Sequence, residues 1–159
     1  MSQATPSTRR INGAKFHIGV VAARFNEELV DGLLARLLDG LRAAGVKDGR
    51  IRVVRVPGSH EVPWAAGRLA AGRRFDCMVA LGVLIGGDTN HHEMVGQSVS
   101  QALQRVALDT GIPVINGVIV TGTVALARAR CTGKINRGAE FASAALAMAE
   151  LNTTLKGKS

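Results

Sequence analysis

Apolar positions along this chain follow two different periods. Residues 16–22, 51–56, 77–85 and 113–121 are short apolar runs rich in β-branched side chains, which is the pattern of strands in a parallel sheet. Between them the spacing changes to that of helices. Leu29, Leu33, Leu37 and Leu41, with Val30, Leu34 and Leu38 beside them, form a wide stripe that stops at Gly45. Their repeat is four rather than seven, so the leucines read as core and not as a zipper. Ser59, His60, Glu61, Val62 and Pro63 open a second helix running to Gly72, with the proline tolerable because it falls in the first turn. Val95, Val99, Ala102, Leu103 and Val106 share one face of a third helix that stops at Gly111. Beyond residue 122 there is no strand signal, and two helices are expected, a short one to about Arg130 and a longer one from about Arg137 to Leu151. Arginines interleave the 51–56 run, which places that strand near an edge.

Strand and helix thus alternate four times, which predicts an α/β domain: four parallel strands, right-handed crossovers and helices on both faces. Ligands in such a sheet bind outside the carboxyl ends of the strands. Here those exits carry Arg24-Phe25-Asn26, then Pro57-Gly58-Ser59-His60-Glu61, then the stretch from Gly86 to His92, and Thr121 followed by a basic cluster. The third exit is the most informative. Gly86-Gly87 is the only double glycine of the chain, and adjacent glycines allow positive φ and close approach of a ligand to the main chain. Asn90 and Glu93 read as an N-cap and its N3 partner, so free N–H groups would face outward at a helix N-terminus, a site suited to phosphate, with the Thr89 hydroxyl a further donor. His91 and His92 follow, and one of them is a candidate proton shuttle. Asn26 is expected to cap the first helix, with Glu27 and Glu28 in its first turn.

Composition narrows the class. The 159 residues suit one domain, expected over 15–152 with a disordered tail at 1–14 and a short tail at 153–159. Apolar residues make up 47% and charged residues 20%, which is globular, and no apolar run is long enough to span a bilayer. The net charge of +8 raises nucleic acid as a partner, but the basic residues are dispersed and aromatics are only 3%, so stacking platforms are missing. The exception is the compact group Arg128, Arg130, Lys134 and Arg137, suited to one anionic ligand or to a subunit contact. Cys77 and Cys131 stand alone in separate elements, making neither a disulfide framework nor a metal site, and the polar N-terminus carries no export signal. A reducing cytoplasmic location is expected.

With these residues assembled, the sequence resembles the lumazine synthase family over 15–151. Four blocks carry the likeness: Arg24-Phe25-Asn26, the Val56-Pro57-Gly58-Ser59-His60-Glu61 segment, the Gly82 to Val95 stretch, and Asn136-Arg137-Gly138-Ala139-Glu140. Their order and spacing are specific where any single block would be weak. The resemblance implies a three-layer, flavodoxin-like fold. It also implies a cofactor-free condensation of 5-amino-6-ribitylaminouracil with 3,4-dihydroxy-2-butanone 4-phosphate, giving 6,7-dimethyl-8-ribityllumazine, phosphate and water. Matched by position, His91 is the proton-transfer histidine, Phe25 the aromatic that stacks on the pyrimidine, and Ser59 and Glu61 the ribityl-binding positions. The main chain at Val83, Leu84 and Ile85 reads the uracil ring, Asp88 and Thr89 occupy the phosphate turn, and Arg130 is the phosphate-binding arginine. The implied assembly is a homopentamer with active sites between subunits.

Several positions depart from the family pattern. His60 stands where an aromatic is usual, Gly86 where a basic residue is usual, and Arg137 where a lysine is usual. Asn116 replaces an aromatic that a neighbouring subunit presents. The 128–136 segment is about one residue short, so Arg128 competes with Arg130 for the phosphate. Two rivals share the edge chemistry: a homologue that holds a lumazine or flavin without turnover, and a riboflavin synthase of the same fold, which would release no phosphate.

Overall fold

The computed structural model describes residue 4, residues 6–7 and residues 9–157. The strands are β1 (Ile18–Ala23), β2 (Ile51–Val56), β3 (Cys77–Ile85) and β4 (Val114–Thr121). Five helices accompany them: α1 (Glu27–Ala43), α2 (Val62–Ala71), α3 (His91–Thr110), α4 (Val124–Cys131) and α5 (Arg137–Lys156). The strands form one fully parallel sheet in the order β2-β1-β3-β4, the flavodoxin-like arrangement.

Burial follows from that order. Central β1 is buried along its whole length and β3 over its first seven residues, whereas the edge strand β2 is exposed or half-buried until its last residue, Val56, as its interleaved arginines lead one to expect. Each face of the sheet has its own core. On one, Leu33, Leu37 and Leu41 of α1 meet Ala142, Ala145 and Leu146 of α5 over Ile18, Val20 and Val79. On the other, Val62, Ala66 and Ala70 of α2 meet Val99 and Leu103 of α3 over Val21, Met78 and Ala80. Three layers result.

The boundaries bring some corrections. Phe16 is buried core but precedes β1, and α5 continues to Lys156 rather than ending at Leu151, with Thr153 and Thr154 donating back to the carbonyls of Ala149 and Glu150. Residues 1–3, 5 and 8 of the expected disordered tail lie outside the described residues. Within the described part, Ile11 packs on the α1–α5 core, the Gly13 amide donates to the Ala44 carbonyl at 2.7 Å, and Arg9 pairs with Glu150. Among the described residues no helix is long and apolar enough to cross a membrane.

The chain reverses direction across the sheet between β1 and β3. After β2 it passes back over β1 to lay down β3, so the helices that follow β1 and β3 diverge to opposite faces and leave a crevice between the two strand ends.

Candidate active site at the strand switch point

That crevice is a cleft of about 670 Å³. Its walls come from three strand exits distant in sequence. Phe25 and Asn26 follow β1, the segment from Pro57 to Glu61 follows β2, and Val83, Leu84 and Ile85 end β3, with Gly87, Thr89, His91, His92 and Val95 continuing into α3. A second cavity of about 570 Å³ lies between the N-terminal segment and helices α1 and α5, lined by Arg9, Arg10, Asn12 and Ser143. It holds no imidazole and takes no residue from a strand exit, so the first cleft is the candidate site.

The β1–α1 turn is held from two sides. The amides of Arg24 and Phe25 donate to the carbonyls of Val56 and Pro57 at 2.8 and 3.0 Å, tying the turn to the β2 exit. Asn26 occupies the N-cap of α1, as expected, but its side chain makes no cap bond. It sits in the left-handed region at φ 56°, and its Nδ2 donates to the carbonyl of Val83 at 2.8 Å. Asparagine tolerates this backbone better than most residues, and the cost is offset by a bond that bridges β1 to β3 across the crevice. Phe25 itself is 75% exposed at the cleft mouth, an apolar ring presented to solvent.

On the β2 side a turn of 3-10 helix over Ser59–Glu61 leads into α2, with Pro63 in the first helical turn. Glu61 folds back so that its Oε2 accepts from the Gly58 amide at 2.9 Å, leaving its other oxygen near the His60 ring at 3.9 Å. Ser59 is buried against Gly82, where there is no space for a Cβ, and its hydroxyl has no protein partner. A glycine on β3 is thus what lets the Ser59 turn close over the strand.

The glycine turn differs from the sequence expectation. Neither Gly86 nor Gly87 has positive φ. Gly86 is needed for proximity instead: a Cβ there would lie 2.8 Å from the Gly122 carbonyl oxygen, because the strand pairing continues with the Gly86 amide donating to the Thr121 carbonyl. Asn90 occupies the N-cap of α3 but makes no side-chain cap bond, and Glu93 points to solvent rather than completing a capping box. The Glu93 amide closes on the Asn90 carbonyl at 3.1 Å, which leaves the His91 and His92 amides at the start of α3 for a ligand. The adjacent histidines part company. His91 is exposed at the cleft, while the His92 side chain is 14% exposed with its Nδ1 buried and without a protein partner.

Nine of the twelve expected site residues meet here: Phe25, Ser59, His60, Glu61, Val83, Leu84, Ile85, Thr89 and His91. Three do not line the cleft. Asp88 is exposed beside it, its side chain turned out of the lining. Asn116 lies near the start of β4, about 16 Å before that strand's carboxyl end at ~3.3 Å per residue. Arg130 is drawn onto its own helix, its Nη1 donating to the Leu126 carbonyl at 2.9 Å. Asn26, Pro57, Gly58, Gly87, Val95 and His92, the alternative proton shuttle, complete the lining; Asn26 carried a signal in lying directly after Phe25, but one that favoured a cap. Among the described residues no cluster of three His, Cys, Asp or Glu could hold a metal ion.

A doubly wound parallel α/β fold with a largely apolar cleft at its switch point, presenting an imidazole, a carboxylate and an exposed aromatic, defines a class of small-molecule-binding α/β proteins. The particular family is shown by comparison. Residues 15–153 match the family model of 6,7-dimethyl-8-ribityllumazine synthase. A 6,7-dimethyl-8-ribityllumazine synthase of Nitrosospira multiformis is 41% identical over 145 residues, covering 91% of this chain and 89% of the relative. One from Bordetella petrii is 42% identical over 149 residues (94% and 83%), and one from Thermococcus gammatolerans 42% over 139 residues (87% and 89%). The chain belongs to the 6,7-dimethyl-8-ribityllumazine synthase family.

Proposed function

We infer that the cleft carries out the family's condensation, joining 5-amino-6-(D-ribitylamino)uracil to 3,4-dihydroxy-2-butanone 4-phosphate. The products are 6,7-dimethyl-8-ribityllumazine, phosphate and water, a step of riboflavin biosynthesis, and the protein is a transferase. The observation that supports it most is that Phe25, Glu61, the β3 end and His91, from three separate strand exits, line one cleft. In this reading the pyrimidine lies against the exposed Phe25 ring and takes its hydrogen bonds from the main chain at Val83, Leu84 and Ile85. Ser59 and Glu61 hold the ribityl chain, whose hydroxyls match an unpartnered hydroxyl and a carboxylate. His60 borders the same wall.

Proton movement falls to His91. Imine formation and elimination of phosphate each require a proton to be given and taken, which an imidazole does near neutral pH. The leaving phosphate would lie at the N-terminus of α3, with the Thr89 hydroxyl, the amides of Gly87 and Asp88, and Arg130. The carboxylate of Asp88 repels an anion, so its part is limited to its main-chain amide.

Arg130 and Asn116 stand away from the cleft of one chain, which fits an active site shared between subunits of a homopentamer. Two buried free cysteines suit a reducing cytoplasm.

Mixing the two substrates with the protein is expected to release inorganic phosphate. His91→Ala should slow that release by roughly two to four orders of magnitude while pyrimidine binding persists, because the ring is held by other groups. Near-normal turnover in this variant would move the proton transfer to His92 or to water. Lumazine binding without phosphate release would leave a binding protein or a riboflavin synthase.

A further inference from the structure

We propose that Arg55 is a positioning residue for the Phe25 ring and so for recognition of the pyrimidine substrate. The inference rests on Phe25 being the stacking aromatic. A ring that is 75% exposed has little packing of its own, so its place over the cleft depends on the backbone that carries it. Hydrogen bonds from Arg24, Phe25 and Asn26 fix that turn to β2 and β3, and an exposed Arg24–Glu27 ion pair at 3.5 Å reaches the first turn of α1, but none of these contacts holds the carbonyl of Ala23, where β1 ends.

Arg55 supplies the joint. It stands on the edge strand β2, opposite Ala22 in the register, and its side chain is 19% exposed. Nη2 donates to the Ala23 carbonyl at 3.1 Å, Nη1 donates to Asp31 Oδ1 at 2.6 Å, and Nη2 lies 3.9 Å from Glu27 Oε1. One rigid guanidinium therefore locks the last carbonyl of β1 to the acids of α1 on either side of the residues that present Phe25. Its planar fork spans these partners together, which a single ammonium cannot do. Arg55 itself does not line the cleft.

The test compares apparent KM for each substrate and kcat in Arg55→Met, Arg55→Lys and Asp31→Asn, alone and in a Phe25→Ala background. Arg55→Met is expected to raise KM for the ribitylaminouracil roughly 5- to 50-fold, since a displacement of about an ångström is costly to positioning. KM for the butanone phosphate should stay within about twofold, and Arg55→Lys should restore only part of the loss. Asp31→Asn keeps the guanidinium and should shift the same constant in the same direction by less; it decides the matter if Arg55→Met does not fold. In the Phe25→Ala background the Arg55 substitutions should add almost nothing. Equal losses for both substrates, or a full Arg55 effect without the ring, would overturn the proposal and leave Arg55 a stabilising ion pair. If Phe25→Ala does not move the pyrimidine constant, the stacking role fails and this inference with it; if Phe25→Ala moves it and the Arg55 and Asp31 variants do not, this inference alone fails.

Discussion

Arg128 and Arg130 stand two apart on α4, about 200° around the helix from one another, so they cannot serve one ligand from the same side. Arg128 is exposed, and Arg130 is half-buried with one arm bonded to Leu126. Arg130→Ala is expected to raise the Michaelis constant for the butanone phosphate by the equivalent of about 1.5–3 kcal/mol, a charged hydrogen bond, with that for the ribitylaminouracil unchanged. Measuring both constants in Arg130→Ala and Arg128→Ala settles which is the ligand: a larger loss in Arg128→Ala reverses the assignment, and no loss in either makes the cluster a surface feature. At this scale the place of Phe25, Glu61 and His91 in the cleft was legible because each follows a strand end. Asn26 was half legible. A polar residue before two acids favours a cap, and only the position of β3 offered the Val83 carbonyl in place of the α1 amide.

Helix α5 crosses α1 at a point where neither backbone can yield. A Cβ on Gly138 would lie 2.7 Å from the Leu33 carbonyl oxygen and 3.0 Å from the Leu37 amide nitrogen. Gly138→Ala should therefore lift the start of α5 from α1 and cost about 1–3 kcal/mol, seen as a lower urea midpoint with unchanged slope. Gly87 is the control: nothing lies within 4 Å of a Cβ there, so Gly87→Ala should leave stability within about 0.5 kcal/mol. The glycine at the family block Asn136-Arg137-Gly138 thus has a packing reason, helix approach. The α5 N-terminus also forms a cap of its own, with Asn136 Oδ1 accepting from the Ala139 amide at 3.0 Å.

Burial at the scale of the molecule carries both a titration and an assembly. Desolvation pushes the Cys77 thiol up to about 12, and desolvation likewise raises Cys131 to about 11. An unfolded thiol ionises near its ordinary value of about 8.5, so each contributes stability that is intact below that pH and lost as pH rises towards the folded values. The thermal midpoint should fall progressively above pH ~8.5, and Cys77→Ala and Cys131→Ala together should flatten that part of the curve. An unchanged slope would mean that other groups govern alkaline unfolding. Trp64, Met94, Leu108, Val124 and Leu126 leave large apolar side chains on the surface of the single chain. In the proposed homopentamer they would be subunit contacts, and sedimentation equilibrium is then expected to report five chains. A monomer at micromolar concentration would remove the shared-site reading of Arg130.

Local order along the chain was decided by sequence alone. Strand runs, helix stripes and glycine stops are short-range properties of spacing, so all nine elements, the edge character of β2 and the sidedness of the strand exits could be read before any contact was known. Proximity was decided by the tertiary structure. Only the order β2-β1-β3-β4 puts the β1 and β3 exits beside one another, makes Gly82 the seat for Ser59, turns Gly86 against Gly122, and carries Arg130 and Asn116 away from the cleft. These are contacts between residues far apart in the chain, and no local period encodes which backbone will lie against which.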